Sequence, residues 1–381
     1  MLINEKDQLE FNKLLEGAFK GDKIAQAKLK EAVTTDSLAP TMFVNAANVQ
    51  FVRAYNEYDS IWPRIAEKVL LNDFRPAAYL SLNSDIASMP IDNGGFSPIQ
   101  DTLPAIPELT PYPTLTYTGN GRFVEVGKHG ARLQFSFEAI VNDDWNTIEK
   151  LPTDAGRLAA RTEDLLVLMT LFNPRYKAIK TELDRQLDLS KVPAEFKGEA
   201  VAGSNGKDAR ISYGAITAAR WQALNTKSES GRTVTVPGGF ALVCSPAQAQ
   251  LAREILAIRE IRTTNGKTTT ISTNTLTDIE VVESDLIGTI VGNDAWALVP
   301  KGGKAGDKTT IVKTSMRGRE TPELRAHNAT GTMLGGGAVD YREGSFDNDD
   351  VEIRVRQIAG AGLLNLDGVV LSAGGQAADY L

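Results

Sequence analysis

Apolar residues recur at helical spacing in the first part of the chain and then lose that period. The pattern predicts two short amphipathic helices within residues 5–33, interrupted at Gly21, and another short helix over Ile61–Leu71. Residues 34–60 are less periodic, which favours an extended arm. Two uses fit the first pair of helices: packing on their own subunit, or reaching across a neighbouring one.

The clearest helical stripe follows Asn142-Asp143-Asp144. Thr153 or Asp154 can cap a helix there, and Asn173-Pro174 would end it after about twenty residues. Because apolar residues dominate, this helix should be mostly buried in a protein core. The predicted stripe comprises Leu158, Leu165, Met169 and Phe172, with Leu166, Leu168 and Leu171 as alternative apolar positions.

Strand patterns surround these helices. The segment FRPAAYLSL from Phe74 and the alternating Leu133–Phe137 predict strands. After a polar connection over 175–210, the later part of the chain predicts an α+β lobe. Its predicted elements are helix Tyr213–Asn225, strand Gly239–Cys244, helix Ala247–Ile258, a hairpin or exposed loop with an Asn-Gly turn in Arg262–Thr273, and strands Ile279–Val282, Gly288–Val291 and Ala295–Val299.

Proline changes the character of the chain between Ser84 and Pro113. Six prolines fall in this stretch together with Gly94 and Gly95, a density that prevents a regular helix or a central strand. A structureless stretch of this length is uncommon inside a compact domain unless it has a partner or a function. The composition therefore predicts a long arm.

Length, composition and net charge exclude some classes of protein but do not identify the class to which this chain belongs. The 381 residues, 42% of them hydrophobic and 23% charged, suffice for one large or two modest cores. The net charge of −7 gives no basic footprint for tight nucleic-acid binding. The N-terminus lacks a signal-peptide pattern and no run of eighteen apolar residues occurs, so we expect synthesis in the cytoplasm and no membrane span.

The motifs that resemble phosphate-binding, metal-binding or catalytic sites each lack a residue that such a site needs. The glycine-rich loop at Gly302–Thr309 has Asp307 after Gly306, where a phosphate loop needs a lysine. The acidic turn Asp347–Asp350 has Glu352 where a calcium loop needs a glycine. No nucleophile elbow accompanies Gly335–Gly337, and one cysteine with two histidines far apart in the sequence argues against a Cys/His zinc site. We therefore predict no catalytic residue, no cofactor and no metal ion.

The order of several segments resembles the major capsid proteins of tailed bacteriophages, which share the Hong Kong 97 fold. The segments are YTGNGRFVEVGKHGARLQFSFEAIVNDDW from Tyr117, DAWALVPKGGK from Asp294, GRETPEL from Gly318, and GSFDNDDVEIRVRQIAGAGLLNLDGVVLSAGG from Gly344. No single motif is diagnostic. The resemblance rests on their shared order over roughly Phe74–Gly375.

The resemblance implies an α+β fold with the parts of that family. They would be N-terminal helices and N-arm (1–60), a P-domain entry helix (61–77), the E-loop (78–132), the P-domain with its long spine helix (133–210), the A-domain (211–315), and a P-domain loop with closing strands and the C-terminus (316–381). The proline-rich stretch would be the E-loop, which in that family lies over the adjacent subunit.

The function implied is structural rather than enzymatic. The chain would self-assemble into pentamers and hexamers of an icosahedral virion shell around double-stranded DNA, without sequence-specific DNA binding. Assembly in the host cytoplasm would involve a separate scaffolding protein and a portal protein, and a decoration protein could bind outside. An encapsulin-type nanocompartment shell and, less well supported, an unrecognised hydrolase are the alternatives.

The candidate site residues are those expected at subunit interfaces. In the predicted E-loop they are Pro90, Gly94, Gly95, Phe96 and Pro104, and in the charged P-domain loop they are Arg317, Arg319, Glu320, Glu323 and Arg325. The charged loop is either a solvated surface or a contact between symmetry mates. In the type member an E-loop lysine forms an isopeptide bond with a neighbour's asparagine. Here no lysine lies between Lys68 and Lys128, so we expect a shell without cross-links.

Overall fold

Every residue of the strand Phe240–Cys244 is buried, because apolar side chains cover both faces of the sheet that contains it. A computed structural model describes residues 39–85, 108–109, 116–136, 145–172, 185–198, 200, 208–226, 233–265, 268–306, 308–327 and 345–374. The predicted helices in residues 5–33 lie outside this part of the chain. Helices and strands are both present, as predicted for an α+β protein.

The helices are α1 (Ala39–Glu57), α2 (Trp62–Ile65), α3 (Trp145–Phe172), α4 (Ala194–Lys197), α5 (Tyr213–Asn225), α6 (Pro246–Ala257) and α7 (Leu286–Ile290). The strands are β1 (Glu67–Leu71), β2 (Ala77–Asp85), β3 (Thr116–Val124), β4 (Gly127–Ser136), β5 (Phe240–Cys244), β6 (Glu260–Asn265), β7 (Thr268–Thr273), β8 (Ile279–Glu283), β9 (Trp296–Pro300), β10 (Lys304–Ala305), β11 (Lys308–Thr309), β12 (Ile311–Met316), β13 (Glu323–Ala326), β14 (Asp350–Leu363) and β15 (Val370–Ser372).

The chain divides into two units. The first comprises residues 1–59, 128–162 and 318–358, and the second comprises 60–127, 163–317 and 359–381. Helix α3 and strand β14 each contribute one part to the first unit and the remainder to the second.

The first unit is built on β14. Strand β13 pairs with it antiparallel, and β4 also pairs with it. Phe51 of α1 and two alanines of α3, Ala155 and Ala159, form a small apolar core, against which Leu324 and Val355 pack. The sheet thus has one face toward this core and leaves the charged residues of alternate positions on the other face.

The second unit contains a four-stranded sheet in the order β15-β9-β5-β8. Strand β5 runs parallel to β8 and antiparallel to β9. Side chains alternate between two apolar clusters: Phe240 and Leu242 belong to one, while Ala241 and Val243 belong to the other. Helices α5 and α6 contribute to the first cluster, and the C-terminal half of α3 contributes to the second.

Several predicted elements are confirmed. Helix α5 has the predicted bounds, and β5, α6, β8 and β9 agree within a residue or so at their ends. The predicted hairpin is formed by β6 and β7, which pair from Glu260↔Thr273 to Asn265↔Thr268. Some of these elements carry a clear local signal, such as the Ser212 cap of α5 and the Asn-Gly pair of the hairpin.

The prediction of an extended arm over residues 34–60 is wrong, because α1 occupies most of that range. Phe51 and Ala54 are buried three positions apart, so packing supports this helix more than its sequence period suggests. The predicted helix over Ile61–Leu71 is only the short α2. It gives way to β1, which pairs in parallel with β12.

The structure also differs from two predictions for later parts of the chain. Gly288–Val291 was predicted as a strand but lies largely in α7, where Leu286 and Ile287 are buried in the second cluster. The connection predicted as polar over 175–210 buries Leu187 and Val192 in the other cluster. Short apolar runs do not distinguish a helix from a strand, and tertiary packing decides between them.

The long helix α3 begins at Trp145, eight positions before the predicted cap at Thr153, and carries Pro152 inside it. Its predicted apolar stripe is wrong at Leu158 and Met169, which are 64% and 40% exposed. The prediction is confirmed at Phe172 and at the alternative positions Leu168 and Leu171, which are buried. The buried face includes the charged Glu163 and Asp164, which an apolar stripe cannot reveal.

Candidate functional site

Strands β2 and β3 of the second unit form a two-stranded ribbon, which we call the arm. Strands β2 and β3 pair antiparallel over nine residues, from Ala77↔Val124 to Asp85↔Thr116, and form a sheet of their own. Because opposed residues share a face, Phe123 opposite Ala78 and Tyr79 opposite Arg122 point to different sides. Phe123 is 69% exposed and Tyr79 is also exposed. Both sides of the ribbon therefore present aromatic surface.

The predicted E-loop sites follow β2 in the sequence. Pro90, Gly94, Gly95, Phe96 and Pro104 fall outside the described residues. Between the two strands the structure describes Glu108 and Leu109, which are exposed, and Leu109 has a positive φ of 63°. The expectation that these five residues contact a neighbour stays a prediction.

The charged loop predicted at 317–325 is spread over a turn and the start of β13. The main-chain amide of Arg317 donates to the carbonyl oxygen of Leu71 at 2.8 Å, and its side chain is exposed. Arg319 is exposed and Glu320 is half-buried. Pro322 is buried, and its ring restricts the backbone φ angle just before β13 begins. The loop is thus anchored by its backbone and presents its arginines to solvent.

Glu323 and Arg325 come together on β13. A guanidinium nitrogen of Arg325 lies 3.0 Å from the Glu323 carboxylate, and Arg356 of β14 forms a second ion pair with the same carboxylate. Burial alone would raise the pKa of Glu323, but the two arginines outweigh it and hold that pKa below its ordinary value. Sequence reasoning missed Arg356, although the alternating charges of VEIRVRQI signal a strand with one charged face.

A second set of charges follows along β14. Arg132 Nη1 of β4 lies 3.1 Å from Glu352, and His327 Nδ1 lies 3.3 Å from the same carboxylate. Asp350 accepts hydrogen bonds from Ser345 and Gln134, which lower its pKa. Strands β4, β14 and β13 therefore share a charged face in the first unit.

A buried charge pair lies in the second unit. Lys313 Nζ of β12 is 2.7 Å from Glu163 of α3, and lies 4.9 Å from the ring centre of Trp62. Next to it, Asp164 accepts hydrogen bonds from the amides of Ile61 and Trp62 at 3.1 and 3.0 Å. Two adjacent carboxylates thus join α3 to β12 and to the start of α2. The sequence signal was the Glu163-Asp164 pair interrupting an apolar helix.

The cysteine and the glycine-rich loop, which the sequence analysis considered for catalysis or phosphate binding, are held by contacts within the fold. Burial, reinforced by Glu283, raises the pKa of the Cys244 thiol to about 12, so the thiol is unreactive near neutral pH. In the glycine-rich loop, Lys304 lies 2.7 Å from Glu67, and Thr309 donates to the same carboxylate. Gly335–Gly337 falls outside the described residues.

The part of the chain that the structure describes contains no group of three or more His, Cys, Asp or Glu side chains arranged to hold a metal ion. Among the same residues, none of the helices is both long and apolar enough to cross a membrane.

Comparison with known proteins identifies the family. The sequence model described as "Phage capsid protein" matches residues 120–372, about two thirds of the chain. The chain therefore belongs to the phage capsid protein family. None of the curated proteins matches it.

Solved structures show a distant likeness. The virus-like particle from Pyrococcus furiosus is 10% identical, with a TM-score of 0.43 over 87% of this chain and 99% of that one. The mature capsid of bacteriophage PhiM1 is 12% identical, with a TM-score of 0.43 over 82% and 86%. Mycobacterium phage Bobi gives 9% identity and a TM-score of 0.46 over 81% and 87%.

Family membership confirms the main expectation from the sequence. The protein is a structural capsid subunit with helices and strands in an α+β fold, it assembles with copies of itself into a capsid shell, and its place is the virion. The charged face and the two-stranded arm are then candidate contacts between subunits.

Proposed function

We propose that this chain is the major capsid protein of a tailed bacteriophage and builds an icosahedral shell of pentamers and hexamers around double-stranded DNA. The arm of β2 and β3 carries this proposal. A two-stranded ribbon is marginal by itself in water, and this one exposes an aromatic ring on each side. A ribbon of this kind is stabilised when it lies against another subunit, as overlapping arms in a shell require.

The proposed role is mechanical, and the subunit needs no catalytic site. Cys244, the cysteine of the chain, is buried with a raised pKa, and Lys304 of the glycine-rich loop forms an ion pair with Glu67. These surroundings favour structural roles for both residues.

The shell is proposed to be held without covalent cross-links. The arm contains no lysine, and Lys128 lies near the start of β4, after the arm has returned. Overlap of the arms and charged contacts around Arg317, Arg319, Glu320, Glu323 and Arg325 would hold neighbouring subunits together. The proline and glycine positions of the arm, Pro90 to Pro104, would lie at the same interface.

Assembly is proposed to occur in the host cytoplasm with a separate scaffolding protein and a portal protein, and a decoration protein could bind the finished shell. The test is to express the full chain with the scaffolding protein and to examine the product by negative-stain microscopy and sedimentation. Closed particles are expected. A compact monomer under all assembly conditions would contradict the proposal.

A further inference from the structure

One strand of the sheet in the second unit is hydrogen-bonded on both of its edges. We call residues 366–374, which include β15, the closing segment. On one edge β15 pairs antiparallel with β9. On the other edge the amide of Leu187 donates to the carbonyl oxygen of Leu371 at 2.8 Å, and the amide of Leu371 donates to the carbonyl oxygen of Arg185 at 3.0 Å. The closing segment therefore joins β9 to a stretch of chain that lies far earlier in the sequence.

Apolar side chains of the closing segment contribute to both clusters of the second unit. Val370 belongs to the cluster of α5 and α6, whereas Leu366, Val369 and Leu371 belong to the other cluster. Each of these four side chains is at most 5% exposed. Without them, both faces of the sheet would expose apolar surface beside β9, so docking of this segment removes that surface from water.

The end of the closing segment is held by a buried polar network. Ser372 Oγ donates to the carbonyl oxygen of Ala209 at 2.9 Å and accepts from the Ala209 amide at 3.3 Å. The amide of Ala373 donates to the Asp208 carboxylate at 3.1 Å, and the side-chain amide of Gln186 donates to the same carboxylate. Two early stretches of chain, around residues 186 and 208, thus meet at the closing segment.

The backbone of Asp208 is in an unfavourable conformation. Its φ of 60° lies in the left-handed region, which residues with a side chain seldom adopt. Such a conformation persists when the surrounding contacts over-determine it, and the amide of Ala373 supplies one of those contacts. The flanking Leu187 and Ala209 are fully buried in the cluster of α5 and α6. The stretches around residues 187 and 208 therefore depend on the closing segment for their final placement.

The contacts of the closing segment span much more of the chain than the other contacts of this sheet. The central strand β5 finds both of its partners, β8 and β9, within residues 240–300. By contrast, Asp367 and Arg185, which form a largely buried ion pair at 3.5 Å, are 182 positions apart. The entropic cost of closing a loop grows with its length, and contacts between residues distant in sequence form slowly.

We propose that the closing segment docks last and makes the subunit competent to assemble. Strands β9, β5 and β8 pair first, and residues 366–374 then enter between β9 and residues 185–187. Until that step the edge of β9 is open to pairing with other chains, which favours irregular association over ordered assembly. The link to assembly rests on the proposed function, whereas the order of docking stands without it.

Hydrogen exchange during refolding tests the order in the full wild-type chain. The chain is diluted from urea, pulse-labelled at increasing times and analysed by mass spectrometry of its peptides, with a prolyl isomerase present to shorten proline-limited delays. The amides of β5 should become protected first. Those of residues 185–187 and 366–374 should follow together, at a rate at least about threefold lower. Simultaneous protection, or earlier protection of the closing segment, would overturn the proposal.

Two serine variants give a second measurement, because each removes one buried hydroxyl. Ser372→Ala removes the bonds to Ala209, and Ser245→Ala, the matched control beside β5, removes a bond of 2.6 Å to the carbonyl oxygen of Asn293. Ser372→Ala should raise the unfolding rate about five- to tenfold and leave the protection rate of β5 unchanged. Ser245→Ala should slow the protection of β5. If Ser372→Ala slows that step as much as the control does, the closing segment docks early and the proposal fails.

Delayed mixing tests the link to assembly. Wild-type chain refolded for increasing times is mixed with the scaffolding protein under conditions in which native subunits form particles. Particle formation should follow the time course of protection at residues 366–374. Particle formation with the faster time course of β5 would overturn the link. Native subunits that never form particles would instead contradict the proposed function, and the exchange experiment would still decide the order of docking.

Discussion

Lys313 Nζ lies 2.7 Å from the Glu163 carboxylate, and the two side chains are only 2% and 1% exposed. The pair joins β12 to the long helix α3 within the second unit, and the Trp62 ring covers the ammonium group. The attraction within a buried ion pair offsets much of the free-energy cost of removing both charges from water, so the net gain in stability is small. The main effect of the pair is to fix which parts of β12 and α3 are in contact.

Removing one partner should be strongly destabilising. Lys313→Met leaves Glu163 buried without its cation, and the free energy of unfolding should fall by about 3–5 kcal/mol. Replacing both, Lys313→Met with Glu163→Leu, should recover much of that loss. Urea unfolding of the unassembled subunit measures both. As a control, Arg253→Ala removes the exposed pair with Glu283 and should cost about 0–1 kcal/mol. A single variant as stable as the wild type would contradict the buried pairing.

Truncations along α3 should report which face is buried. Leu168 is fully buried, so Leu168→Ala should cost about 2–5 kcal/mol, whereas Leu158→Ala should change stability by less than about 1 kcal/mol. Leu165 packs at the edge of the second cluster, and its truncation should give an intermediate value. Equal effects at Leu158 and Leu168 in thermal unfolding would show that the helix is rotated.

Gly156→Ala should destabilise the first unit, although alanine is the better helix residue by roughly 0.5–1 kcal/mol. An ideal Cβ at position 156 would lie 2.3 Å from the carbonyl oxygen of Phe51, a backbone atom of α1 that cannot move aside easily. Gly288→Ala in α7 is the comparison, since its nearest atom belongs to the Asn293 side chain and can rotate. Thermal melting should show a clear loss for Gly156→Ala. A raised melting temperature would mean that α1 and α3 are further apart.

Acidification should lower the free energy of unfolding of the subunit, partly because Glu323 becomes protonated. Its folded pKa lies below the ordinary value, so between the two pKa values the unfolded chain binds more protons. Stability from this group is therefore present above the unfolded pKa and is lost as the pH falls through the folded pKa, from about pH 5 downward. Glu323→Gln should be less stable than the wild type at pH 7 and should lose less on acidification. Urea unfolding at several pH values tests this, and parallel curves would exclude the contribution.

Mature particles should contain no covalent oligomers. Boiled in detergent with reductant, they should run as a single band near 41.2 kDa, because the arm has no lysine. A ladder of heavier bands that survives this treatment would contradict the prediction.

The sequence alone determined the α+β class, the position of the long arm and most of the second unit's elements. Helix α5 is rich in alanine and begins after Ser212, which caps it, strand β5 is a short apolar run, and the proline-rich stretch excludes regular structure by covalent geometry. These features depend on neighbours in the chain, so they can be read from it directly.

Only the tertiary structure decided the buried face of α3 and the partners of the charged residues. Glu163 and Lys313 are 150 positions apart, and a charged side chain gives no local sign that a distant partner will bury it. Arg356 likewise meets Glu323 only because β13 and β14 pair in one particular register. Such contacts are fixed by packing and strand register, which join residues distant in sequence.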